Sequence, residues 1–437
     1  MWRWRSVSDV AGDSPVDYLP SGSGERSGCS ERGRLYLETC PGSRGRRRSG
    51  AVLEEVVMFE RALRRKVESL LDAAGIEIDG PEPHDIQIHD DRFYARVMRG
   101  GALGLGEAYM DGWWDCERLD EFFNRVLRAR LDARVRGRRW WLTHLRSRLF
   151  NLQKPLRARR AVGRHYDLGN DLFQRMLDRR MIYSCGFWQD ARTLDEAQEA
   201  KLELVCRKLH LERGMRVLDI GCGWGGAARW AASRHGVEVV GVTISAAQAE
   251  VARETCRGLP VEIRLQDYRS VDEPFDRIFS LGMIEHVGHR NHRSFMRVAR
   301  RCLTDDGLLL LHTIGSNTSN VNGDAWTDRY VFPDSLLPSA RQLAEASEGL
   351  LVLEDWHGFG PYYDPTLMQW HRNVVAHRQD LESRYDRHFF RMWRYYLLSC
   401  AGSFRARKNQ VWQLVLSRRG VPEGYRSIRS APAPARS

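Results

Sequence analysis

The residues of this 437-residue chain best suited to chemistry lie in one stretch, Arg216 to Gly226, reading Arg-Val-Leu-Asp-Ile-Gly-Cys-Gly-Trp-Gly-Gly. A short apolar run (Val217, Leu218, Ile220) ends in glycines 221, 223, 225 and 226, and Ala227, Ala228, Trp230, Ala231 and Ala232 follow as a helix-forming segment. The pattern is strand, tight loop, helix. Glycines there let the backbone take positive φ and let a ligand approach the main chain, while the first helical N–H groups point at it. A nucleotide-like cofactor suits such a loop. The spacing Gly221-x-Gly223-x-x-Gly226 also fits the dinucleotide fingerprint, so the loop alone leaves a redox dinucleotide and S-adenosylmethionine both open.

The flanks separate the two. A dinucleotide site calls for an acid at the end of the second strand, but Val237 to Val242 runs into Thr243-Ile244-Ser245, with no acid there. Asp219 precedes the first glycine, and Leu265-Gln266-Asp267-Tyr268 closes the third strand. That arrangement resembles the acid-then-glycine loop and adenine-contacting Asp of class I methyltransferases, which bind S-adenosylmethionine.

Strands near Val237–Thr243, Val261–Leu265, Phe275–Gly282 and Gly307–Thr313, with helical segments between them, predict an α/β fold with a doubly wound, mostly parallel sheet. Leu350–Trp356 and Gln410–Leu416 are expected as antiparallel sixth and seventh strands. Before this catalytic domain, placed at 161–425, residues 58–127 read as a small α/β module. It has a helix over Ala62–Ala74, a strand at Asp85–Ile88, a helix from Arg92, and a Gly- and Trp-rich stretch from Gly100 to Trp114 that core packing explains. Residues 1–57 are rich in Gly, Ser and Arg without periodicity and read as a disordered extension lacking the features of a secretory signal. The tail from 426 reads the same way.

Length and a 42% hydrophobic content suit two globular domains. The nine cysteines form no Cys-x-x-Cys pair, which points away from a disulfide framework and from zinc, and toward a reducing cytoplasm. No apolar run approaches the roughly 18 residues of a membrane span. Residues 128–164 carry twelve arginines and one lysine against a single acid, Asp132, which more than accounts for the net charge of +11. Trp140, Trp141, Leu142, Leu145, Leu149 and Phe150 are interleaved with these charges. An amphipathic element at the surface of an anionic bilayer explains the combination. Nucleic acid attracts such charge too, but no recognition fold accompanies it, and a solvated linker (128–160) is the plain alternative.

With these segments in view, the chain from about Met58 to about Arg419 resembles the cyclopropane-fatty-acyl-phospholipid synthase family. The likeness rests on Gly104 to Trp114, His165-Tyr166-Asp167-Leu168-Gly169-Asn170-Asp171, Tyr183-Ser184-Cys185, Arg216 to Gly226, Val242 to Ser245, Glu285-His286-Val287-Gly288, Leu311 to Ser316 and Thr366-Leu367-Met368. It implies that the module at 58–127 is a lipid-binding domain. It also implies methylation of a cis alkene in a phospholipid acyl chain, then loss of a proton from the new methyl carbon to close a three-membered ring. An alkene is a poor nucleophile, so the sulfonium must be positioned closely. The resulting carbocation requires a dry pocket, for which Tyr166, Tyr183, Phe187, Trp188 and Tyr363 are aromatic candidates.

The resemblance further implies a bicarbonate base held by Cys185, Glu285, His312 and Tyr363, with the Ile314 backbone nearby. Taken singly, each has a plain alternative: a small core cysteine, a helix-terminal acid, a satisfied histidine. Tyr362, adjoining Tyr363, differs from it by one register step. For the cofactor it implies Tyr166, Tyr183 and Ser184 near the methionine end and Leu218, Asp219, Gly221, Cys222 and Gly223 along the loop. Thr243, Ile244, Ser245 and Gln248 would surround the ribose, and Asp267 the adenine. No metal is expected, and a homodimer at the inner face of the membrane is. A methyl-branched product from the same carbocation and a non-catalytic lipid-binding protein are the competing readings.

Overall fold

The computed structural model describes residues 43–134 and 169–430, with side chains from Met58 onward. Tyr166 and most of the basic segment, including Trp140 and Trp141, lie outside the described residues. A first unit ends at Glu55, and the second, from Val56, contains the sheet and the candidate site. Helix α1 (Ser43–Asp72) begins well before Ala62, inside the stretch expected to lack structure. Leu53, Val56 and Val57 continue the helical spacing of apolar residues toward the N-terminus.

After α1 comes a module of α2 (Arg92–Gly100), α3 (Ala102–Met110) and α4 (Leu119–Arg128), with a short antiparallel pair, β1 (Gln87–Ile88) and β2 (Trp114–Asp115). The glycine-rich stretch is therefore mostly helix α3. Trp114 is fully buried at the centre, against Phe93, Tyr109 and Phe122.

The larger part is a seven-stranded sheet in the order β5-β4-β3-β6-β7-β9-β8. Chain order gives α5 (Asn170–Met176), α6 (Leu194–Lys208), β3 (Arg216–Ile220), α7 (Gly226–His235), β4 (Glu238–Thr243), α8 (Ala246–Thr255), β5 (Val261–Leu265) and β6 (Phe275–Leu281). Then follow α9 (His292–Cys302), β7 (Leu303–Ser316), β8 (Val352–Gly358), α10 (Tyr363–Ala376), α11 (Arg387–Arg405) and β9 (Asn409–Ser417). Strands β3 to β7 pair in parallel, and β9 runs antiparallel to both β7 and β8. Of the two strands expected to be antiparallel, only β9 is reversed. Lying between β7 and β8, it leaves β8 pointing the same way as the rest. Buried aliphatic residues cover both sheet faces, as parallel strands flanked by helices require.

Sequence-encoded caps fix where the helices start. Thr193 and Glu196 form a capping box on α6, while Ser245 accepts from the Gln248 amide at the start of α8. The N-terminal module is fastened to α11 at two points. A Cβ on Gly402 would stand 2.5 Å from the Asp120 carbonyl oxygen, so only glycine permits α4 to approach so closely. Arg405, three residues on, binds Asp364 through two bonds of 2.9 Å and Asp120 at 2.7 Å.

Buried Asp120 is held down to about 2 against the desolvation that burial imposes, because Arg118 and Arg405 donate to its carboxylate. A depressed pKa contributes stability above the unfolded value and loses it as pH falls through the folded one. Asp120→Asn is expected to cost about 2 kcal/mol near neutral pH. Urea unfolding should show the gap to the native chain closing between about pH 4 and pH 2.

Candidate active site

The loop after β3 takes the conformation its glycines allow. Gly221, Gly223 and Gly225 have φ of 89°, 53° and 84°, and the Gly221 and Cys222 amides donate to the Val242 carbonyl, tying the loop to β4. A Cβ on Gly223 would meet nothing within 4 Å. It would project into an open cleft at the carboxyl ends of the strands, where doubly wound sheets bind ligands.

Tyr183, Ser184, Asp219, Gly221, Cys222, Gly223, Thr243, Ile244, Gln248 and Asp267 all line this cleft. Leu218 and Ser245 do not: Leu218 points into the core beneath the sheet and Ser245 spends its hydroxyl on the α8 cap. Thr243 Oγ1 lies 3.0 Å from Gln248 Oε1. Asp267 receives a two-pronged contact from Arg269, at 2.9 and 2.7 Å.

Asp219 is strongly perturbed. Burial pushes its carboxyl up to about 8, the nearby Lys201 ammonium opposing the shift, and its Oδ2 has no hydrogen-bond partner. A positively charged ligand group placed there would restore the ionised form. Lys201, fully buried on α6 and itself lowered to about 8 by burial, donates to Ser184 Oγ at 2.9 Å. Gln198, one turn earlier, donates to the Ser184 carbonyl at 2.8 Å. Together they fix the segment that carries Tyr183, Ser184 and Cys185.

The residues of the expected base site are not among those that line the cleft, though Cys185 and Glu285 directly adjoin the lining residues Ser184 and His286. After β6, Gly282 at φ 77° turns the chain into a single 3-10 turn, Ile284–His286. This buries Glu285, whose Oε1 accepts from the Ile314 amide at 2.7 Å while Oε2 is buried with no partner. Burial raises its carboxyl to about 7, the Ile314 bond acting the other way. His312, on β7, is buried and held neutral by desolvation and by Lys201 and Lys208.

Cys185 is fully buried, its Sγ donating to the Gly186 carbonyl at 3.2 Å, and burial raises its thiol. Tyr363 opens α10. Burial, then the proximity of Cys185, Tyr183 and Glu285, keeps its phenol protonated. Tyr362 turns the other way and meets Phe187 edge-on at 5.3 Å.

The aromatic wall differs from the expected set. Tyr183 packs on Trp370 (5.1 Å) and shares a 2.9 Å hydroxyl bond with Tyr396, while Tyr363 packs on Trp370 (5.8 Å) and Phe404 (4.6 Å). Phe187 faces Phe359 and His357, and Trp188 donates to Thr366, so both support the wall from behind. Trp370, Phe332, Tyr396, His286 and Lys201 escape sequence reasoning because they are distant in the chain and carry no local spacing signal.

A seven-stranded sheet with one reversed strand and a glycine-loop cleft at its carboxyl edge defines a class I S-adenosylmethionine-dependent methyltransferase. Coclaurine N-methyltransferase has this fold with a TM-score of 0.60 over 72% of this chain and 98% of its own, at 21% identity, a likeness of fold alone. The sequence model of the family described as Mycolic acid cyclopropane synthetase matches residues 153–414, and the chain belongs to that family. It is 51% identical over 382 residues to the cyclopropane-fatty-acyl-phospholipid synthase of Escherichia coli, covering 87% of this chain and 100% of that one. Tuberculostearic acid methyltransferase UfaA1 of Mycobacterium tuberculosis is 32% identical over 367 residues, 78% of this chain and 85% of its own. Cyclopropane synthase MmaA2 from Mycobacterium tuberculosis superimposes with a TM-score of 0.56 at 32% identity, over 61% of this chain and 100% of that structure.

Gly223→Val would strain a positive-φ position and fill the cleft, and Asp267→Ala would remove an acceptor worth about 1.5 to 3 kcal/mol to a bound adenine. Calorimetric titration with S-adenosylhomocysteine should show both binding more weakly than the native protein. Unchanged affinity would count against this cleft as the cofactor site.

Proposed function

We propose that the protein transfers a methylene group from S-adenosylmethionine to the cis double bond of unsaturated phospholipid acyl chains, with bicarbonate as the base. Identity of 51% along the whole length of the Escherichia coli synthase supports the reaction class. The observation that carries the base assignment is Glu285: a buried carboxyl with one oxygen pinned by a backbone amide and the other facing no partner. Such an oxygen suits the hydroxyl of a protonated oxyanion, and the residues present fit that group.

When bound, S-adenosylmethionine supplies an electrophilic methyl group and bicarbonate a proton acceptor. The protein supplies placement and dryness. The glycine loop and α7 hold the cofactor; Asp219 answers its positive charge, and Ser184, backed by Lys201, lies at its methionine end. Tyr183, Tyr363 and Trp370 exclude water from the acyl chain and turn ring faces toward developing positive charge. Glu285 Oε2 would accept from a bicarbonate hydroxyl, neutral His312 and Tyr363 would serve as donors to the anion, and Cys185 would close the pocket.

Glu285→Gln and His312→Ala should reduce turnover by orders of magnitude and leave S-adenosylhomocysteine affinity near native, because these groups act on the base and not on the sulfonium. Equal loss of both would overturn the assignment. Since Glu285 must be ionised, turnover at fixed bicarbonate concentration should rise as pH passes about 7.

The basic segment at 128–164 is proposed to hold the enzyme on anionic lipid at the cytoplasmic face, and the assembly is proposed to be a homodimer. Among the described residues no helix is long and apolar enough to cross a membrane. Each near-surface charge adds about 1 kcal/mol to lipid binding, screened by salt. Changing Arg134, Arg136, Arg138 and Arg139 to Gln should sharply reduce sedimentation with anionic vesicles at low salt. Sedimentation equal to native would leave the segment a plain linker.

A further inference from the structure

Strands β7, β9 and β8 lie side by side, and one residue from each forms a row across them. His312 on β7 stands directly opposite Gln413 on β9, which stands directly opposite His357 on β8. Directly opposed residues share a sheet face. Gln413 is fully buried, and its neighbours on that face of β9 are Val411 and Val415, both also fully buried. An aliphatic residue would pack there without the cost of desolvating an amide. Gln413 Nε2 instead faces His312 Nδ1 at 3.4 Å, and Oε1 is left buried with no partner.

The far end of the row is charged. Lys208, fully buried at the end of α6, donates to His357 Nδ1 at 3.0 Å and lies 3.9 Å from Asp355, which Arg429 also engages. Phe359 packs against both His312 (5.8 Å) and His357 (5.2 Å). His312 is thus confined by a ring and an amide on the side away from the cleft.

A neutral imidazole carries one proton on one of two nitrogens, and the hydrogen bond made by one nitrogen decides the protonation of the other. Where Nδ1 accepts from an amide N–H, the proton resides on Nε2. We propose that Gln413 is a positioning residue that fixes His312 in its Nε2-protonated tautomer, so that the ring presents a donor to the anionic base. This rests on the reading of the base site given above. It explains why an amide with a partnerless oxygen stands in an aliphatic strand face: its function is the polarity of one hydrogen bond.

The test uses the full chain with 15N-labelled histidine, the His312 ring signals being assigned by their absence in His312→Ala. In the native protein the Nδ1 shift should be that of an unprotonated ring nitrogen and Nε2 that of a protonated one. Gln413→Glu, measured at a pH high enough to ionise a buried carboxyl, presents only acceptors and should exchange the two; Gln413→Met, similar in size but without the bond, should give averaged shifts. Both variants should keep S-adenosylhomocysteine affinity, lose about 10- to 100-fold in kcat and show a raised KM for bicarbonate. A native ring protonated on Nδ1 would overturn the proposal, whether or not the variants fold. So would variants that retain the native shifts and kcat, or that lose stability with no change in the ring signals. Should the tautomer follow residue 413 while turnover is indifferent to bicarbonate, the tautomer assignment stands and the base-site reading falls.

Discussion

The hydrogen bond from the Ile314 amide to Glu285 joins the end of β7 to the turn after β6 and keeps a carboxylate where water does not reach it. A buried carboxylate is costly unless it is bonded. The surrounding structure meets that requirement in stages. Gly282 reverses the chain so that the 3-10 turn can form, the Leu336 amide donates to the Glu285 carbonyl, and β9 pairs with β7 from Leu308 to Ser316. What remains is one oxygen, Oε2, with bonding capacity and no partner. That remainder is the feature on which the proposed base site rests.

Two charge problems meet at this point in the fold. A sulfonium substrate needs a negative environment and an anionic base needs a positive one, and the two must stand within reach of the same carbon. On the proposed reading the extended segment Tyr183 to Cys185, which Lys201 and Gln198 anchor from α6 at Ser184, would stand between the two. Asp219 lies on the cofactor side. On the other side His312 and Tyr363, both neutral, would face the proposed base, and the buried ammonium groups of Lys201 and Lys208 act on His312. Neutral hydrogen-bond donors bind the anion without competing for the proton it must accept.

The strands and the cofactor loop were legible because both leave local marks: continuous aliphatic runs, and glycines where φ is positive. Asp267 and Thr243 were visible for the same reason, as residues at strand ends. Leu218 and Ser245 illustrate the limit of that logic, since a residue one step along a strand points into the core and a hydroxyl at a helix start serves the cap. The base site carries no local mark at all. Glu285, His312 and Tyr363 stand on three different elements, and only the family resemblance named them. Gln413, Lys201 and Trp370 were invisible because their roles depend on sheet register and helix packing. The reversed β9 was anticipated, but the direction of β8 follows from pairing alone.

The central claim is that a methyl carbon delivered to an alkene loses a proton to a base inside this pocket. It is tested most directly by the fate of the hydrogens on that carbon. The native protein would be incubated with vesicles of unsaturated phospholipid, bicarbonate and S-adenosylmethionine carrying a CD3 group, and the acyl products analysed by mass spectrometry and proton NMR. The account predicts a cyclopropane ring bearing a CD2 carbon, with the missing deuterium lost to solvent. A product that keeps an intact CD3 branch, or no incorporation into lipid at all, would contradict it.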